Sequence, residues 1–121
     1  MKTDGIYLQH ILESTSDIER FVEGVSKEEF MESAEKQAAV IRKLEIIGEA
    51  VKNTSNCIRN RHPEIPWAEI ARTRDKLIHG YFEVNAERVW VIVKRDLPGL
   101  KKNMEKILKK EESSEKHNGK A

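Results

Sequence analysis

Cysteine occurs once in these 121 residues, at Cys57, so neither an internal disulfide nor a cysteine-rich metal site can form. A reducing, cytoplasmic setting is the default for such a chain. Long apolar runs are missing as well. The longest, Val89-Trp90-Val91-Ile92-Val93, is five residues, far short of the roughly 20 that a membrane span needs. Residues Met1 to Ser16 contain charges but no apolar block, so no secretory leader is expected in this segment. Aromatic residues amount to 6%, which leaves little for stacking bases. With six glycines and three prolines scattered along the chain, no glycine-rich phosphate loop and no internal repeat is visible. The histidines His10, His62, His79 and His117 show no metal-ligand spacing, so no metal and no cofactor is expected.

What is present is charge, 36% of all residues, and a matching 38% of aliphatic, aromatic and cysteine residues. That balance fits narrow apolar stripes on soluble helices. A chain of this length buries about two-thirds of its unfolded surface, enough for one core. The net charge of +1 hides a gradient: residues 1–58 carry −4, residues 59–79 carry +2 and residues 94–110 carry +5. The second half can offer a positive face to a polyanion while the whole chain stays near neutral.

Apolar residues recur at threes and fours almost throughout, the period of helices rather than strands. Leu8, Ile11, Leu12, Ile18, Val22 and Val25 mark a first helix, punctuated by Gly24 and Ser26. Ser26-Lys27-Glu28-Glu29 has the form of a capping box, predicting a second helix from there to about Asn53. Gly48 within it costs about 1 kcal/mol relative to alanine, and a close approach by another helix would compensate. Residues 54–66 read as a connection, with Pro63 and Pro66 opposing a continued helix. Trp67, Ile70, Ala71, Arg74, Leu77, Ile78 and Tyr81 define a third helix, and Asn85 can cap a fourth that Pro98-Gly99 should kink or split. From Glu111 to Ala121 the stripe ends, which predicts a domain of residues 1–110 and a flexible charged tail of 111–121. Short connections between helices imply an all-α, four- to five-helix up-and-down bundle.

The third helix carries an anomaly. Arg74 lies on its apolar stripe, and a buried unpaired cation is very costly. It must pair with a carboxylate from the first two helices, reach water, or line a cleft that accepts an anion. His79 follows five residues later, about 140° around and about 7.5 Å along an ideal helix, so one helix does not place both on one face. Either the helix loosens at Gly80, or a second copy of the chain brings another Arg74/His79 pair alongside; otherwise His79 is a cap for the last carbonyls of its helix. Asp75, four residues before His79, shares its face and can orient the imidazole. Arg59, Arg61, Arg72 and Lys76 can flank a cleft as phosphate contacts, or serve as solvated surface charges. Trp67 and Trp90 sit on stripes and read as core or interface.

The segment Arg74-Asp75-Lys76-Leu77-Ile78-His79-Gly80-Tyr81 resembles the signature of HEPN-domain ribonucleases, and in its spacing the HepT-like toxin family in particular. Its context is similar too: Gly48-Glu49-Ala50 before it, Pro63-Glu64-Ile65-Pro66-Trp67 closer in, and Val89-Trp90 through Asp96-Leu97-Pro98 after it, a likeness covering about residues 5 to 108. The resemblance implies a HEPN-like helical bundle that forms a homodimer with both signatures in one cleft. It implies the toxin half of a toxin-antitoxin module, an RNA substrate, and a cognate minimal nucleotidyltransferase as antitoxin partner. By the same resemblance Arg74 and His79 serve RNA cleavage, and Tyr81 is the residue that partner modifies by adenylylation (AMPylation). The family's residue after the arginine is polar, often asparagine; here it is Asp75. Metal-free cleavage is chemically sound, because the 2′-hydroxyl is an internal nucleophile and only proton transfer and charge stabilisation remain. Two other readings stay open: a non-catalytic, nucleotidyltransferase-associated binding module with Arg74 as an anion clamp, and a structural dimer in which Arg74 and His79 satisfy buried partners.

Overall fold

The computed structural model describes the backbone of residues 2–79 and 85–119, and side chains from Thr3 to Ile78 and from Asn85 to Glu111. Every element among the described residues is helical. In order they are α1 (Lys2–Val22), α2 (Lys27–Glu32), α3 (Ala34–Asn53), α4 (Asn56–Arg61), α5 (Trp67–His79) and α6 (Ala86–Val91), then a π-helical turn (Ile92–Asp96) that leads into α7 (Leu97–Gly119). None of these helices is long and apolar enough to cross a membrane.

The core is the sum of the stripes. Leu8, Ile11 and Ile18 of α1 meet Val40, Ile47 and Val51 of α3, with Met104 and Ile107 of α7 closing the other side. Helices α1 and α3 run antiparallel: Asp4 reaches Ser55 just beyond the end of α3, and Asp17 pairs with Lys43 nearer its start. Helix α5 lies on α3, while α7 packs against α1. Trp67 is buried, its indole N–H donating to the His62 carbonyl at 3.0 Å. Trp90 stays half-buried, tilted on Phe30 with ring centroids 5.2 Å apart.

Local signals behaved as chemistry requires. Ser26 forms the capping box with Glu29, and Asn85 accepts from the amides of Glu87 and Arg88 at the start of α6. Ahead of Pro98-Gly99 the backbone widens into the π turn, so the fourth stripe is split there. That is the insertion-type disruption by which helices change register.

Two expectations change. The helix expected from Ser26 to Asn53 breaks at Ser33, whose extended backbone ends α2 and whose hydroxyl accepts the Lys36 amide to start α3. The Gln37 side chain donates to the carbonyls of Phe30 and Met31, satisfying the end that the break exposes. The connection 54–66 holds a helix of its own, α4. Ser55 caps it, and the buried Asp4 accepts from both the Ser55 amide and the Ser55 hydroxyl.

Helix α7 continues through Gly119, and Glu111 is buried. His62, itself buried, stands 3.0 Å from one Glu111 oxygen while Arg61 donates to the other. Burial alone would push the Glu111 carboxyl up, yet the hydrogen bonds from His62 and Arg61 outweigh it and hold the group below its ordinary value. A depressed carboxyl contributes stability above its unfolded-state value, and that contribution disappears as the pH falls through the folded-state value. Glu111→Gln is therefore expected to cost about 2 kcal/mol at neutral pH. The gap from wild type should narrow as the pH is taken below the ordinary carboxylate range. Urea denaturation of both proteins at neutral and at acid pH checks this. An equal gap at both would mean that shape, rather than charge, matters at residue 111.

Candidate functional site

The site begins with a glycine. At Gly48 a Cβ would fall 2.1 Å from the Arg74 Cβ, 2.6 Å from its Cγ and 3.4 Å from its Cα. Helix α5 can lie this close to α3 only because residue 48 has no side chain. The close approach expected from Gly48 is thus present, and the group that approaches is the signature arginine.

Laid across that notch, the Arg74 side chain is 21% exposed and brings its guanidinium to Glu49, Nη2 to Oε2 at 2.6 Å, and to Asp75, Nη1 to Oδ1 at 3.0 Å. Its Nε–H is buried with no hydrogen-bond partner among the described residues. Lys52 of α3 donates to the same Asp75 oxygen at 3.0 Å. Those contacts, Lys52 first and Arg74 second, hold the Asp75 carboxyl below the usual carboxylate range. Asp75 is therefore ionised and turned toward two cations. Of the three outcomes open to Arg74, two occur together: it pairs with a carboxylate of the preceding helices, and it lines a cleft.

That cleft, about 320 Å³ between α1, α3 and α5, is walled by Arg74, Glu49, Tyr7, His10, Arg42 and Ile78, among others. His10 had no motif to recommend it in the sequence, and Glu49 entered only as part of the Gly-Glu-Ala context. The antiparallel register that joins residue 4 to 55 and 17 to 43 also sets residue 10 opposite residue 49. An arginine, a carboxylate and an imidazole thus share one opening, a set able to hold an anion and move a proton. No group of three or more His, Cys, Asp or Glu that could hold a metal ion exists among the described residues.

The remaining signature residues are placed only in part. His79 is the last residue of α5, and its side chain lies outside the described residues, as does the whole of Tyr81. The four flanking cations are not gathered at the Arg74 cleft. Arg59 donates to the Val51 carbonyl and the Thr54 hydroxyl, closing the end of α3. Arg61 is engaged with Glu111 and Cys57. Arg72 is exposed on α5, and Lys76 lines a groove of about 570 Å³ with Arg88 and Arg95, bounded by α5, α6 and the π turn. Another cleft of about 300 Å³, lined by Leu44, Ile47, Ile70, Leu97 and Leu100, carries none of the signature residues.

Known proteins similar to this chain match it over most of its length. The family model described as "Ribonuclease HepT-like" matches residues 11–107. A protein of Thermococcus cleftensis named "Probable ribonuclease HepT" is 50% identical over 103 residues, 85% of this chain and 94% of the relative. A "Putative RNase" of Caldanaerobacter subterraneus subsp. tengcongensis is 45% identical over 111 residues, 92% of this chain and 99% of the relative. Another protein of that name, from Methanocaldococcus jannaschii, is 46% identical over 103 residues, 85% of each chain. No solved structure gives a significant match. With its signature arginine seated on Gly48 at the wall of a cleft, and with matches that span nearly the whole bundle, the chain belongs to the HepT-like ribonuclease family.

Proposed function

We propose that this protein is a metal-independent endoribonuclease acting as the toxin of a toxin-antitoxin module. The observation that carries the reading is Arg74, a cation fixed by the Gly48 notch at the wall of an open cleft, on the helix that ends at His79. Family membership supports RNA as the substrate.

The division of labour follows from the chemistry. Arg74 binds non-bridging oxygens of the scissile phosphate with its planar fork and stabilises the charge that gathers on them. His79 moves protons near neutral pH. Because the two residues diverge on an ideal helix, a homodimer brings His79 of one copy toward Arg74 of the other and forms a composite site. Asp75, held by Lys52 and Arg74, supports the arginine's orientation. Arg72 and Lys76 supply phosphate contacts outside the cleft, whereas Arg59 and Arg61 serve the fold. A minimal nucleotidyltransferase is the cognate antitoxin, silencing the toxin by adenylylation of Tyr81.

The test is cleavage of an end-labelled RNA mixture in excess EDTA, beside His79→Ala. Attack by the 2′-hydroxyl predicts 2′,3′-cyclic phosphate and 5′-hydroxyl ends for the wild type and no cleavage by the variant. Products with 3′-hydroxyl ends, or a strict magnesium requirement, would sink the mechanism. A monomer by light scattering at micromolar concentration would remove the composite site. No cleavage by a dimeric protein whose Tyr81 carries no adenylyl group would favour the binding-module alternative, in which the same bundle docks on the nucleotidyltransferase.

A further inference from the structure

Cleavage through the 2′-hydroxyl needs one proton acceptor and one proton donor, and the signature offers one histidine per chain. A second titratable group already touches Arg74. We infer that Glu49 is the general base of the site, its carboxylate accepting the 2′-hydroxyl proton while Arg74 holds the phosphate. This deepens the ribonuclease reading above and rests on it.

Three observations support the assignment. First, the relation of Glu49 to Arg74 is set by backbone. Residue 49 follows the glycine on which the arginine stem lies, and the 2.6 Å ion pair closes across that contact. Second, the two carboxylates beside Arg74 differ in what remains to them. Asp75 is held by two cations, Lys52 and Arg74, both through Oδ1, whereas Glu49 meets Arg74 alone among the described residues, through Oε2. Third, Glu49 is 56% exposed on the cleft wall, so an incoming ribose can reach it. In a nucleotide poised for cleavage the 2′-oxygen lies beside the phosphorus. A carboxylate paired with the arginine that grips that phosphate is within hydrogen-bond reach of the hydroxyl.

The step balances without a further reactant. The Glu49 carboxylate takes the 2′-hydroxyl proton and the 2′-oxygen bonds to phosphorus. The bond from phosphorus to the 5′-oxygen breaks, and that oxygen leaves with a proton from the His79 imidazolium. One imidazole then suffices, and the second chain's task is to deliver His79 to the cleft.

The experiment is the pH profile of kcat/KM for cleavage of a short RNA oligonucleotide by wild type, Glu49→Gln and Glu49→Ala. The profile is read knowing what surrounds residue 49: Tyr7 and His10 on α1, Arg42, Glu45 and Lys52 on α3, and Arg74 and Asp75 on α5. Glu49→Gln should lower kcat by about 10²–10⁴-fold with KM changed only a few-fold, and should erase the acid limb of the profile. Formate should restore part of the activity to Glu49→Ala. A Glu49 that merely positions Arg74 would raise KM, leave the acid limb intact and give no formate rescue, which overturns the inference. Wild-type cleavage matched by Glu49→Gln would also overturn it and leave the ribonuclease reading standing. A wild type that does not cleave removes both. Since the exposed carboxylate is replaced by an amide of the same shape, Glu49→Gln should fold, and an unchanged circular dichroism spectrum and melting temperature establish that.

Discussion

Arg74→Ala is expected to lower kcat/KM for RNA cleavage by about 10³-fold or more while leaving the fold in place. The position of this arginine is set by α3 and α5 together, with its stem on Gly48 and its guanidinium between Glu49 and Asp75. Both Nη atoms are engaged by carboxylates, and the Nε–H is buried with no partner from the described chain, so the fork is oriented before any substrate arrives. Preorganisation of this kind makes an electrostatic contact worth more in the transition state than a mobile surface lysine could be. Stability should change by less than about 1 kcal/mol, because the carboxylates left behind are solvated and pairs in such surroundings are weak. Arg74→Lys separates charge from shape: it keeps the cation, loses the planar fork, and should recover little of the lost rate. Single-turnover cleavage of end-labelled RNA, read beside urea denaturation, decides the matter. A variant within tenfold of wild type would mean that the phosphate is held elsewhere, and the groove of Lys76, Arg88 and Arg95 would be the next place to look.

How legible this site was depends on how far apart its parts lie in the chain. Caps are local, and Ser26 and Asn85 were readable because their acceptors reach amides only a few residues on. The break at Ser33 is local as well, yet Phe30 and Ala34 kept the helical spacing on either side and the stripe masked it. Glu111 was lost for the opposite reason. A stripe is defined by apolar residues, and this position buries a charge whose partners, Arg61 and His62, lie 50 and 49 residues earlier. The cleft shows the same limit. Arg74 stood out because a cation interrupted an apolar face, and Gly48 because it broke a helical rule. That the two touch is a fact of packing which neither window of sequence contains. His10 and Glu49 meet only through the antiparallel register of α1 and α3, and nothing periodic marks them.

Gly48→Ala should do structural and chemical damage at once. Two opposed effects act on stability. Alanine recovers about 1 kcal/mol of helix propensity inside α3, while a methyl group forced into a packed contact costs about 1–3 kcal/mol and at times more. The distances place this contact at the upper end of that range. The new Cβ would sit 2.1 Å from the Arg74 Cβ and 3.4 Å from its Cα, atoms that no rotamer change of the arginine can withdraw. Helix α5 must therefore move off α3, and a net loss of about 2 kcal/mol is expected. For a domain of this length that is a fall in melting temperature on the order of 10 °C. The chemical effect is larger. When α5 moves, Arg74 moves with it, and displacement of an oriented group by about 1 Å can cost about 10²-fold in rate. The cleavage defect should thus persist at temperatures where calorimetry shows the variant fully folded. A folded Gly48→Ala protein with wild-type cleavage would show that α5 tolerates the shift and that the glycine serves packing alone. The expected result is a destabilised bundle that still folds but cleaves poorly, with the glycine on α3 acting as the seat on which the arginine of α5 is held.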